Sequence, residues 1–228
     1  MTHPSIGLPR KAAAEFVGTA FLVATVIGSG VMATRLSDDV GVQLLENSIA
    51  TGAVLVALIL ALQPVSAAFN PVVTLVEAAL GELRLGAAGV LMAAQVAGGF
   101  VGAAAANVMF ELPAVELSTR DRGGTGQWIA EVIATFGLVV IIFGSARAGR
   151  IDTIAFAVGG YIAAAYWFTS STSFANPAVT FARMFSDTFA GIAPSSVPAF
   201  VVAQLLGGAV GLVFVRSVFP DSNPLEQS

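Results

Sequence analysis

A short segment of this chain occurs twice: Asn-Pro-Val-Val-Thr at residues 70–74 returns as Asn-Pro-Ala-Val-Thr at residues 176–180. A single Asn-Pro pair would be interpreted as a loop turn, but two copies in matching apolar surroundings indicate a shared structural role. Asn is a favourable helix cap, and proline at the first helical position lacks only an N–H that would be unpaired in any case. The runs that follow, residues 70–80 and 176–186, are shorter than the roughly 20 residues that cross a bilayer. We therefore predict two half-helices that enter a membrane only part of the way.

The composition places the remaining chain in a membrane as well. Hydrophobic residues make up 56% of the sequence and charged residues 11%, whereas soluble domains usually carry about 25% charged residues. Charge-poor runs predict six spans, at about residues 12–34, 46–64, 86–110, 127–146, 153–169 and 197–218. These runs do not alternate in the way that barrel strands do. We predict an all-α membrane protein with six transmembrane helices and two re-entrant half-helices.

The two halves of the chain share further residues at nearly constant spacing. Glu15, near the start of the first span, is matched by Glu131 near the start of the fourth. A Gln-x-x-Gly-Gly pattern in the third span returns in the sixth, where glycine lets helices approach closely; its members are Gln95, Gly98, Gly99, Gln204, Gly207 and Gly208. We predict two three-span repeats, residues 1–115 and 116–228. Because three is an odd number, the second repeat must be inverted in the membrane.

The two matched glutamates require an explanation, since a carboxylate deep in a span costs at least ~2.5 kcal/mol. They could be interfacial and reach the lipid headgroups, or they could accept backbone N–H groups from the irregular segment before each half-helix. A proton relay is a third reading. We favour the buried acceptor, because no span offers a second ionisable group to complete a relay.

Several kinds of chemistry are disfavoured by composition. The chain has no cysteine, and its one histidine is His3 in the amino-terminal tail, so we expect no disulfide, no metal site, no cofactor and no histidine relay. An intramembrane enzyme would also need paired carboxylates at short spacing, which the predicted spans lack. A net charge of -4 argues against nucleic acid as a partner. The expected partners are the lipid bilayer and a small permeating solute.

Inversion would bring the amino-terminal ends of the half-helices together near the bilayer midplane. Irregular backbone at that depth is tolerated only where it is buried or lines an aqueous cavity. Each helix start carries roughly half a positive charge, so the pair would repel cations and hydronium, while Asn70 and Asn176 would direct N–H donors into the path. The two repeats would then form one channel domain that passes small neutral hydroxylated solutes. A secondary transporter with inverted repeats and broken helices is the alternative, and Glu15 and Glu131 are its only candidate coupling groups.

Lysine and arginine residues set the expected orientation. An even number of spans places six of them on the side of the termini and four on the other side, and the pair Arg10-Lys11 precedes the first span closely. This bias predicts cytoplasmic amino and carboxyl termini, in a multi-pass protein of the cell inner (plasma) membrane.

With its paired Asn-Pro segments and duplicated Ala-Glu segments, essentially the whole chain resembles the major intrinsic proteins, the aquaporins and aquaglyceroporins. The resemblance implies the aquaporin fold, a homotetramer with one pore per subunit, and loop-bracing roles for Glu15 and Glu131. It also implies a central constriction that consists of Asn70, Pro71, Val72, Asn176, Pro177 and Ala178.

The chain departs from the family pattern at its expected outer selectivity filter. Most members place an arginine directly after the second Asn-Pro-Ala, but this chain has Val179, and it has Thr51 where water channels have phenylalanine. The fifth-span filter residue is not placed within residues 163–166. Tyr166 and Trp167 are interpreted as an interfacial pair, with Tyr166 as a filter residue the alternative, and Arg183 and Asp187 as solvated residues or subunit contacts. Loss of a guanidinium and a large ring should widen the constriction and remove its charge.

A filter with threonine and valine resembles the aquaglyceroporins of bacterial arsenic-resistance operons. That resemblance implies passage of arsenite, antimonite and methylated arsenicals, since trivalent arsenic hydroxide is uncharged near neutral pH and comparable to glycerol in size. A wide facilitator of glycerol, urea and water without a metalloid role is the alternative.

Overall fold

The computed structural model describes residues 6–219, and within that range all regular structure is helical. His3 lies outside the described residues. Six helices are long and apolar enough to cross a membrane, the fifth of them together with a short 3-10 turn. The eight α-helices are α1 (Leu8–Leu36), α2 (Val40–Leu62), α3 (Pro71–Ala79), α4 (Leu85–Met109), α5 (Thr125–Arg147), α6 (Ile154–Phe168), α7 (Pro177–Arg183) and α8 (Val197–Val218). The predicted fold, with six spans and two half-helices, is confirmed.

The short helices begin where the sequence predicts and end earlier. Asn70 caps α3, because its Oδ1 accepts the N–H of Val72 at 2.9 Å. Asn176 caps α7 in the same way, with the N–H of Ala178 at 3.0 Å from its Oδ1. The second half-helix ends at Arg183 rather than at residue 186. Each half-helix therefore presents its capped, electropositive start to the interior of the bundle.

The packing follows the duplication. α1 packs most extensively along α4, α5 along α8, and α2 packs against α6 to join the halves. We call the side on which α1 begins and α8 ends the terminal side, and the other the far side. On the terminal side the Arg216 guanidinium donates to the carbonyl of Ala79; on the far side Arg35 Nη2 donates to the carbonyl of Phe110 at 2.7 Å.

Glycine makes the two long helix pairs possible. A Cβ built on Gly98 would lie 2.2 Å from the carbonyl oxygen of Phe16 in α1, and one on Gly207 would lie 2.4 Å from that of Val132 in α5. Any larger residue would force the backbones apart. The matched glycines thus set the distance between the helices on which Glu15 and Glu131 stand.

Candidate pore and outer constriction

A cavity of about 440 Å³ runs through the bundle from Lys11 and Glu82 on the terminal side, past Asn70 and Asn176, to Arg183 on the far side. One wall consists of the segments that lead into the half-helices, and it includes Ser66, Ala67, Ala68, Phe69, Ser173, Phe174 and Ala175. The remaining wall is largely aliphatic, and it includes Leu22, Val26, Leu55, Ile59, Leu138, Ile142, Val158 and Ile162. The path is therefore polar along one face and apolar along the rest.

Glu15 holds the first lead-in segment in place. Its side chain is 0% exposed, and its carboxylate accepts the hydroxyl of Ser66 at 2.5 Å and the N–H groups of Ala68 and Phe69 at 2.9 and 2.6 Å. Phe69 has a φ of 49°, a left-handed conformation that costs a non-glycine residue about 1–3 kcal/mol. The carboxylate offsets this strain by accepting hydrogen bonds from N–H groups that belong to no helix.

Glu131 makes the matching arrangement in the second repeat. It is also 0% exposed, and it accepts the N–H groups of Phe174 and Ala175, both at 2.9 Å. Ala175 repeats the left-handed backbone of Phe69, with a φ of 48°. Both glutamates thus lie as buried acceptors of backbone N–H groups, and neither reaches the protein surface.

Gln95 and Gln204, which the sequence assigns to helix packing, extend these two networks. Gln95 Nε2 donates to Glu15 at 2.8 Å and to Thr74 in α3 at 2.9 Å. Gln204 Nε2 donates to Glu131 at 2.6 Å and to Thr180 in α7 at 2.8 Å. Each glutamine therefore connects a bracing carboxylate to the half-helix beside it.

The two asparagines connect the halves at the centre of the cavity. Asn70 Nδ2 donates to the carbonyl of Ala175 at 2.8 Å, and Asn176 Nδ2 donates to the carbonyl of Phe69 at 2.7 Å. An amide nitrogen has two N–H donors, so one remains on each residue after this crossed pairing. Both side chains line the cavity, where the remaining donors are available to a passing solute.

The other four residues assigned to the central constriction lie outside the cavity wall. Pro71 and Pro177 line a separate apolar groove beside α4, and Ala178 is fully buried. Val72 points at α8, where a Cβ built on Gly208 would lie 2.3 Å from its Cγ1. Successive helix residues project in different directions, so the cavity wall takes the following position in each half-helix, Val73 and Val179.

The fit between Val72 and Gly208 gives a stability prediction. Gly208→Ala should lower the free energy of unfolding by about 1–3 kcal/mol, because the new methyl overlaps Val72, and adding Val72→Ala should restore most of it. Thermal unfolding of the detergent-solubilised protein measures both effects. Gly86→Ala is the matched control, since a Cβ there meets nothing within 4 Å. A double variant no more stable than Gly208→Ala would contradict the assignment.

The residues proposed for the outer constriction come together towards the far side. Thr51 and Val179 both line the cavity, and Thr51 Oγ1 lies 3.1 Å from the hydroxyl of Tyr166. Tyr166 also lines the cavity, and it is the one residue among positions 163–166 that does so. Trp167 is 50% exposed and donates to the hydroxyl of Ser48. An aromatic ring from α6, rather than from α2, therefore lies beside Thr51 on the cavity wall.

The sequence interpretation of Arg183 is wrong. Its side chain is 2% exposed and lines the cavity, its Nε donates to the carbonyl of Ala190 at 2.5 Å, and its guanidinium lies 3.4 Å from the ring centroid of Phe174. The expected loss of charge is therefore incomplete. The helical spacing from Val179 to Arg183, which puts both on one face of α7, could have indicated this. Asp187 instead holds the long far-side loop, by accepting the N–H of Thr119 at 2.9 Å.

A second arginine that sequence reasoning missed lies next to Arg183. Arg122 is buried in the loop between α4 and α5, its Nε donates to the carbonyl of Gly191 at 2.7 Å, and its guanidinium lies 5.0 Å from the centroid of the Phe174 ring. Burial, together with the charges of Arg183 and Arg120, lowers the pKa of Arg122 to about 9. The far-side end of the cavity is thus a region of concentrated positive charge.

Comparison with known proteins agrees with this architecture. Residues 3–153 and 144–227 match the major intrinsic protein family. The chain is 47% identical over 219 residues to the aquaglyceroporin AqpS of Rhizobium meliloti (strain 1021), an alignment that covers 96% of this chain and 94% of that protein. The X-ray structure of the aquaglyceroporin from Plasmodium falciparum shares the fold, with a TM-score of 0.73 at 20% identity over 93% of this chain and 97% of that one. This chain belongs to the major intrinsic protein family, and it is a multi-pass membrane channel for small solutes and not an enzyme.

Proposed function

We propose that this channel passively conducts small neutral hydroxylated solutes, with glycerol and the hydroxides of trivalent arsenic and antimony as its main solutes and water beside them. The observation that carries the proposal is the side chain of Val179 on the cavity wall, beside Thr51 and Tyr166. A valine there is smaller than an arginine and carries no charge. A solute with three hydroxyl groups then meets a wider passage and has to give up less of its hydration to pass.

The two-sided wall supports the same class of solute. Hydroxyl groups can follow the polar lead-in segments, while the carbon backbone of a polyol lies against the aliphatic wall. A path of this kind suits glycerol better than an ion, because the positive starts of α3 and α7 meet at the asparagine pair. The name of the Rhizobium relative, an aquaglyceroporin, points the same way.

The assignment is tested with purified protein in proteoliposomes, by stopped-flow measurement of water, glycerol, urea and arsenite permeability. We expect arsenite and glycerol fluxes that rise linearly with concentration and do not respond to a proton or sodium gradient. Glycerol and urea flux without arsenite flux would show instead that the channel is a general facilitator without a metalloid role. Flux that saturates and depends on an ion gradient would instead identify a transporter. The hydrogen bonds of Glu15 and Glu131 argue against that alternative, because both carboxylates already accept backbone N–H groups.

For the assembly, we propose a homotetramer with one pore in each subunit. For the location, we propose the inner (plasma) membrane, with both termini in the cytoplasm. The family resemblance supports the tetramer, and the positive charge near the start of α1 supports the orientation. The mass of the detergent-solubilised complex and the protease accessibility of the terminal residues decide these two points.

A further inference from the structure

We propose that Arg183 is the charge-selecting residue of this channel, and that it acts one helical turn beyond the place where size is selected. In this arrangement Val179, Thr51 and Tyr166 limit the width of the solute. Arg183, whose backbone lies one turn farther towards the far side, repels cations and offers N–H donors to solute oxygens. The inference rests on the proposed function only in taking the cavity as the conduction path.

The position of Arg183 follows from its spacing along α7. It lies four positions after Val179, so the two residues are on the same face of the helix and their Cα atoms are about 6 Å apart along its axis. Both line the same cavity. Arg183 is the last residue of α7, which puts its backbone at the far-side end of that half-helix.

The hydrogen bonding of Arg183 fixes the side chain and leaves donors available. Its Nε donates to the carbonyl of Ala190, and its guanidinium lies against the face of Phe174, an arrangement that holds the group in one orientation. No other described residue accepts a hydrogen bond from this side chain. Because the residue lines the cavity, the terminal N–H groups are available to molecules inside it.

No carboxylate in the described residues forms an ion pair with Arg183. The carboxylate whose charge acts on Arg183 is Glu131, and its oxygens accept the N–H groups of Phe174 and Ala175. Arg122 lies near the same Phe174 ring and adds charge of the same sign. A buried positive charge acts strongly because little water screens it, so a cation that approaches from the far side meets a barrier before it reaches Val179.

Separate residues for size and for charge would let the channel be wide without conducting cations. Carrying the charge on Arg183, one turn after Val179, retains the electrostatic barrier while the width is set by valine and threonine. Neutral solutes with acceptor oxygens are the class that such a site favours, since they exchange water for the N–H groups of Arg183 without meeting repulsion.

The test uses the absence of native cysteine. In proteoliposomes, Val179→Cys is treated from the far side with methanethiosulfonate reagents that carry either a sulfonate or a trimethylammonium group. Val115→Cys, at a 47% exposed position in the far-side loop, gives the intrinsic reactivity ratio of the two reagents. We expect the ratio of the sulfonate rate to the trimethylammonium rate to be at least about tenfold higher at Val179→Cys than at Val115→Cys, a factor that corresponds to about 1.4 kcal/mol.

Adding Arg183→Gln should bring the ratio to within about twofold of the Val115→Cys value, while Arg183→Lys, which keeps the charge, should preserve most of the preference. Arg35→Gln is the matched control, because Arg35 is an exposed far-side arginine that does not line the cavity. A preference that survives Arg183→Gln, or that is already absent with Arg183 in place, would overturn the proposal. A thiol at position 179 that neither reagent modifies would also overturn it, since the path would not lead past Arg183 to that position.

A second readout does not depend on labelling. Dissipation of a potassium diffusion potential in proteoliposomes should be at least about tenfold faster for Arg183→Gln than for wild type, and unchanged for Arg35→Gln. If Arg183→Gln does not assemble, Val179→Cys with native Arg183 still decides the question through its reagent ratio. None of these measurements requires the physiological solute, so failure of the arsenite assignment would leave the inference on Arg183 standing.

Discussion

Replacing Val179 with arginine should lower glycerol and arsenite permeability at least about tenfold, while water permeability should fall much less. The Val179 side chain lies on the cavity wall beside Thr51 and Tyr166, so a guanidinium there fills the space that a three-hydroxyl solute needs. It also adds a second positive charge one turn from Arg183, and this charge would bind water in the narrow part of the path more tightly than valine does. Water is small enough to pass the remaining gap.

Stopped-flow light scattering on matched proteoliposomes measures all three fluxes. Val179→Leu is the control for bulk without charge, and we expect it to fall between wild type and Val179→Arg. Arsenite flux that ignores the arginine substitution would contradict the placement of the constriction. A wild-type protein that passes water alone would remove the metalloid and glycerol assignments together.

Replacing Glu131 with glutamine should lower the free energy of unfolding by about 2–4 kcal/mol. The carboxylate accepts three N–H donors, from Phe174, Ala175 and Gln204, and an amide offers one acceptor oxygen where the carboxylate offered two. At least one buried donor would lose its partner, at a cost of about 1–3 kcal/mol, and an NH2 group would face other donors. The left-handed backbone at Ala175 would lose its support as well.

Thermal unfolding in detergent measures the loss, and Glu116→Gln, at an exposed position in the far-side loop, is the control. Glu15→Gln should behave like Glu131→Gln, because the first repeat holds its lead-in segment in the same manner. Equal unfolding temperatures for the Glu131 and Glu116 variants would show that the carboxylate does not brace the loop.

The duplication made the fold predictable from the chain alone. Apolar length defines the spans, Asn70 and Asn176 with their following prolines define the helix starts, and an odd number of spans per repeat requires inversion. Each of these three features is a local property or a count, and none of them depends on how the helices are rotated about their axes. The matched Glu15 and Glu131 likewise indicated buried acceptors, since a carboxylate in a span needs donors close by.

The tertiary structure was needed to show which side chains face the cavity. Val72 and Val73 are adjacent in the chain and equally apolar, yet only Val73 lines the path, because the docking of α3 against Gly208 sets its rotation. The docking of α6 on α2 likewise brings Tyr166 to Thr51. Arg183 resembles a solvated helix end in sequence, but the far-side loops fold back over α7 and bury it beside Phe174. Composition and periodicity determine which elements form and where they lie in the membrane, while the contacts between distant segments determine what the pore presents to a solute.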